Sequence, residues 1–315
     1  MQRITVGQSH AVSVLRVLAM TAILVCHILQ SYDNQWAWVL NVGVQIFLVL
    51  SGFLYGHKNV DNWRIWFSSR LRKLYVPFVL FAVLCLAIMK GSTETSVKLR
   101  DLIVYLFYMQ GIFGGVNGLN HLWFMTAIAL CYVVTPILQQ LKDKAGLVFI
   151  ILLIIGIAEY GWIHFKLNQF AWIWLYAIGY FFTNLSCEKL RIWVLSGIII
   201  VAVALTLILD WNILLEYDNP LNRLWHDVAG LALCLGGIKL LEQVPLSKLM
   251  KVLKPFDANS FYVYITHHVY LLGPLAVIPL ISEPIYAVSS ALVLTALSAC
   301  VLLHISDYMN RLIQK

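Results

Sequence analysis

Arg16 and His27 bracket RVLAMTAILVCH, in which only Thr21 is polar among the ten residues between them. A guanidinium is always charged, and its planar fork matches phosphate or carboxylate oxygens. A neutral imidazole can take a proton from a hydroxyl or carry an acyl group. Eleven residues make nearly three helical turns, so both groups leave one helix face, about 16 Å apart along the axis. This pattern suits a long phosphate-bearing donor laid along one helix, its anion at Arg16 and its reactive end at His27. The spacing alone also admits a structural pair, with Arg16 snorkelling to the inner headgroups and His27 bonding a neighbouring helix.

Whatever positions this pair lies in a very apolar chain. Of its residues, 61% are hydrophobic and 12% charged, the composition of a polytopic membrane protein. A hydrocarbon core of about 30 Å takes roughly 20 apolar residues as helix. Every spanning backbone group must then be bonded within its own segment. Apolar runs predict about ten spans, at 10–30, 37–56, 75–90, 119–138, 145–160, 168–183, 192–210, 222–241, 259–280 and 285–305. The run Leu102 to Gly115 is too short to cross and is expected to lie in the interface or re-enter. The expected fold is an all-α polytopic helical bundle, one membrane domain over residues 1–315. The first span has no convincing small-residue cleavage site after it and is read as retained.

The net charge of +7 is explained by topology. With the N-terminus inside, sixteen Lys and Arg fall on the cytoplasmic side, five of them from Lys58 to Lys73. Only Lys90, Lys98, Arg100, Lys166 and Arg223 fall outside. This asymmetry follows the positive-inside rule, puts both termini in the cytoplasm, and excludes a nucleic-acid partner as the source of the charge. The lipid bilayer is the partner it implies, and the plasma membrane the expected location. Six scattered cysteines signal neither a disulfide framework nor a metal site.

Further stretches follow in order: IFLVLSGFLYG (46–56), SRLRKLYVPF (69–78), HLWFM (121–125) and YVYITHH (262–268). With the Arg and His of the first span, the chain resembles the acyltransferase 3 family of integral membrane acyltransferases over nearly its whole length. The resemblance implies transfer of an acyl group, usually acetyl from acetyl-CoA, to a hydroxyl of a carbohydrate such as a surface polysaccharide or lipid-linked glycan. It makes Arg16 and His27 the essential pair. One position departs from it: members often carry Asp three residues before the Arg, where this chain has Ser13.

With that resemblance, Arg70 and Arg72 become candidates for gripping CoA phosphates; without it, the loop from Lys58 to Lys73 is only a strong topogenic signal. Ser51 either lines the cleft or, with Gly43, Gly52 and Gly56, lets helices pack closely. His121 and Trp123 suit an acceptor site, hydroxyl bond and sugar stacking respectively, or an interfacial turn with a tryptophan belt. His267 and His268 are adjacent, so at most one is expected to share a cleft with His27. The alternative from another class is a glycan or glycolipid transporter, against which stands the lack of any inverted repeat.

Overall fold

The computed structural model describes residues 4–92, 97–158, 168–185, 187–216 and 219–313. Arg3, Lys166 and Lys315 of the charge count, and the last two residues of the expected 145–160 span, lie outside them. Among the described residues every regular element is helical: α1 (Val6–Gln30), α2 (Gly43–Gly56), α3 (Trp63–Ser92), α4 (Leu99–Leu106), α5 (Gln110–Phe113), α6 (Trp123–Gln140), α7 (Ala145–Ala158), α8 (Asn168–Phe182), α9 (Glu188–Ile208), α10 (Trp211–Leu214), α11 (Pro220–Leu241), α12 (Ser247–Leu271) and α13 (Pro284–Ile313).

Among the described residues seven helical stretches are long and apolar enough to cross a membrane: Val6–Gln30, Gln35–Gly56, Trp63–Gly91, Asn120–Gln140, Glu188–Ile208, Pro220–Leu241 and Pro284–Leu312. The other three expected spans also fall on helices, of different character. In α8 the apolar part, Trp172–Phe182, is short. In α7 the described helix has 14 residues. In α12 the first half carries Lys248, Lys251, Lys254 and Asp257. That helix stops at Leu271 rather than running to 280, where Gly273 and Pro274, both unfavourable in a helix interior, follow.

The basic stretch read as a loop from Lys58 to Lys73 is mostly helix. The Asn62 side chain accepts from the Ile65 backbone N–H at 3.1 Å, an N-terminal cap, and α3 then runs without interruption to Ser92. Arg70 and Arg72 therefore sit in its third turn. The run Leu102 to Gly115 contributes to two short helices, α4 and α5, parted where Tyr108 takes a φ of 58°.

The chain forms two compact units. The first comprises Met1–Leu29, Asn34–Asn59 and Leu130–Asp257. Its centre is α2 against α8, with α11 beside α2, α9 on α11, and α7 on α8. The glycines make this approach possible: a Cβ at Gly52 would run into the carbonyl oxygen of Tyr176, and one at Gly56 would meet the Thr183 hydroxyl. Gly43 lies as closely against Ala19 and Ile23 of α1. Small residues in a membrane helix act here as packing surfaces. By contrast α9 buries no residue, and its Leu207 is 80% exposed. In lipid an apolar helix face needs no protein cover, so this is the expected behaviour of a peripheral span.

Several polar groups inside the first unit are bonded to one another, which offsets their cost in hydrocarbon. Gln45 Nε2 donates to Asp227, which is fully buried, at 3.2 Å. The buried His226 ring meets the carbonyls of Asn222 and Trp38. In the second unit, Gln30–Asp33, Val60–Ala129 and Ala258–Lys315, α3 packs on α13 and α4. Gly118, at φ 88°, and Gly273 pass each other there, a conformation and proximity that a side chain would obstruct.

Candidate active site

An arginine within a membrane helix costs about 2.5 to 3.5 kcal/mol on insertion scales unless it finds a partner. Arg16 finds one in Asp257, at the end of the charged first half of α12: Nη1 lies 2.6 Å from Oδ1. The other carboxylate oxygen accepts the Ser13 hydroxyl at 2.7 Å. Ser13 and Arg16 are three residues apart on α1, so both reach the same carboxylate from one helix face. The guanidinium side chain stays 29% exposed against 14% for the aspartate. Asp257 therefore fixes Arg16 through one N–H and leaves the rest of its fork, five N–H donors in all, able to meet an anion.

His27 stands in the last turn of α1, half-buried, on the face it shares with Arg16. The helix is continuous between them, without proline or glycine, so the rise of about 16 Å predicted by the spacing applies. Ser51, half-buried in α2, belongs to the same unit, where Gly52 beside it performs the close packing.

Within the second unit, His121, His267 and His268 converge. His121 stacks on His268 with ring centroids 4.5 Å apart and 14° between planes, and meets His267 edge-on at 5.4 Å. All three are buried. Adjacent histidines thus both contact the same ring, because one lies over its face and the other at its edge. Backbone carbonyls only accept, so each ring nitrogen facing one must carry the proton. His121 Nε2 donates to Ile265 at 3.0 Å, His267 Nδ1 to Tyr264 at 2.7 Å, and His268 Nδ1 to Gly118 at 3.1 Å. The Tyr264 hydroxyl donates to the His121 carbonyl. Among the described residues no group of three His, Cys, Asp or Glu side chains, these histidines included, is arranged to hold a metal ion. Trp123 is half-buried and edge-on to Phe124.

Arg72 donates from Nε to the Ser68 carbonyl at 3.3 Å, one turn back on α3, and remains half-exposed, as does Arg70. Sequence reasoning missed Asp257 and Tyr264. Tyr264 was visible inside YVYITHH, whereas Asp257 carries no motif of its own.

A family model described as an acyltransferase domain matches residues 9–304, nearly the whole chain. Comparison with curated proteins and with solved structures gives no match.

Proposed function

Since the chain belongs to the acyltransferase 3 family and is a membrane acyltransferase by that membership, we propose that it moves acetyl from cytoplasmic acetyl-CoA to a hydroxyl of a surface or lipid-linked glycan. The observation that carries this reading is the Arg16–Asp257 pair on the α1 face that His27 shares. A buried arginine used only for packing has no need of free donors on the same face as an imidazole. An arginine gripping a phosphate does.

In this reading a donor phosphate meets the open side of the Arg16 fork, and the pantetheine arm follows α1 toward His27. The acceptor hydroxyl attacks the thioester carbonyl carbon while His27 takes its proton. The carbon–sulfur bond then breaks, and the CoA thiolate leaves and is protonated. In the covalent variant the imidazole nitrogen attacks first, CoA departs, and the hydroxyl displaces the acyl group from the ring. Arg70 and Arg72 are further candidates for phosphate contacts. His121 and Trp123 are candidates for the acceptor, the imidazole bonding a hydroxyl and the indole stacking on a sugar ring. The positive-inside count supports a cytoplasmic donor side with both termini inside, and the reading takes the membrane to be the plasma membrane.

The test is radiolabelled acetyl-CoA supplied to sealed membranes holding the protein, with label followed into glycan and free CoA followed in parallel. Label in glycan with equal CoA release supports the reading. Glycan movement across the bilayer without CoA release replaces it with a transporter.

A further inference from the structure

In the first unit a small cleft opens among α2, α8, α9 and α11 at the end where the charged residues collect. It takes no part in the proposed transfer. Three of its helices show one pattern. His57 lies one turn beyond Phe53, Lys239 one turn beyond Leu235, and Arg191 one turn before Leu195, each pair lining the cavity. Four residues are about 6 Å of rise, so the opening is polar and the walls one turn deeper are apolar. The positive-inside count puts this opening at the cytoplasmic headgroup level.

The charges at the opening are divided unevenly. Lys239 Nζ is satisfied by Glu242 at 3.0 Å and Glu188 at 3.5 Å. Glu242 also takes the Gln8 amide at 3.1 Å. Arg191 pairs with no carboxylate among the described residues, and its buried Nε has no hydrogen-bond partner. Glu188, whose side chain is 72% exposed, holds only the longer of the two lysine contacts. The opening thus presents one guanidinium in need of an anion and, one helical turn away, one carboxylate with spare capacity, over an apolar slot.

We propose that this cavity holds a zwitterionic phospholipid of the cytoplasmic leaflet, of the phosphatidylethanolamine type. Its phosphodiester occupies the Arg191 fork, its ammonium turns to Glu188, and an acyl chain runs along Leu195 and Leu235. Arg191 and Lys239 against Glu188 and Glu242 leave the opening without net charge, which matches a headgroup of zero net charge rather than an anionic one. The inference stands apart from the transferase reading and survives its failure.

The test is native mass spectrometry of the full chain, delipidated in detergent and titrated with phosphatidylethanolamine. The wild type should retain one lipid per chain, in preference to phosphatidylglycerol, and Arg191→Gln should retain at least tenfold less. Glycerophosphoethanolamine, which lacks the chains, should not displace it. Leu195→Trp, which fills the slot and keeps every charge, should also lower retention, and so decides the matter if Arg191→Gln fails to fold. Equal retention by wild type and variants, equal retention of phosphatidylglycerol, or displacement by coenzyme A would each overturn the proposal.

Discussion

The Asp257 carboxylate is shared between two residues of one helix turn, Oδ1 with the Arg16 guanidinium at 2.6 Å and Oδ2 with the Ser13 hydroxyl at 2.7 Å. Asp257, from α12, thus holds Arg16 while the Ser13 hydroxyl donates to the same carboxylate. The departure at Ser13 therefore leaves Arg16 paired.

Removing the acid should leave a partly buried guanidinium without its partner, at a cost of about 1 to 3 kcal/mol. Asp257→Ala is expected to lower the melting temperature and to reduce transfer, and Asp257→Asn to do both less. Ser13→Ala, which removes one neutral donor, should cost only about 0.5 to 1.5 kcal/mol. Thermal unfolding in detergent, with transfer rates at matched protein, measures all three.

Gly52→Ala forces a Cβ into the Tyr176 carbonyl oxygen, so α2 and α8 must part. Overpacking of this kind costs about 1 to 3 kcal/mol, more where the obstacle is backbone. Gly197→Ala in α9 meets nothing within 4 Å and should leave the melting temperature unchanged or slightly raised. A melting curve for each variant separates the two outcomes.

His57 at the end of α2 is held below its ordinary pKa of 6.5, first by burial, with Arg191 and Lys142 adding repulsion against the Phe53 hydrogen bond. The unfolded chain therefore binds the proton more tightly than the folded one. The stability this supplies is present above pH 6.5 and declines as pH falls toward the folded value. The wild type should lose more melting temperature between pH 7.5 and 5.5 than His57→Gln does. Equal losses would remove His57 as the cause.

The stacked His121 ring donates to the Ile265 carbonyl, and the Tyr264 hydroxyl donates to the His121 backbone carbonyl. If it bonds the acceptor, His121→Ala should raise the acceptor KM about tenfold or more, in line with the about 1.4 kcal/mol that a tenfold change represents. The acetyl-CoA KM should not move. Tyr264→Phe should show the same selectivity more weakly, because it loosens the backbone beneath the ring.

The membrane class, the helices and the Arg16–His27 face were legible because hydropathy and a period of 3.6 are local properties. Asp257 was not, since it stands 241 residues from Arg16 and nothing local marks it as a partner. The histidine cluster was half legible. His121, His267 and His268 were singled out separately, but the backbone crossing of Gly118 and Gly273 that brings them together is a tertiary event. The basic stretch after Lys58 reads as a loop by charge, yet a single Asn62 cap and the Trp63, Ile65, Trp66 and Phe67 side chains carry helix through it. Apolar runs alone show neither that the apolar part of α8, Trp172–Phe182, is short nor that the first half of α12 is charged, so both read as ordinary spans.

The most direct test is the transfer rate of labelled acetyl by membranes holding wild type, Arg16→Ala, His27→Ala or both changes at equal protein. General acid–base catalysis contributes about 10²- to 10⁴-fold. His27→Ala should lose at least about a hundredfold, Arg16→Ala should raise the acetyl-CoA KM, and the double variant should be little worse than His27→Ala. A wild-type rate from His27→Ala would contradict the account.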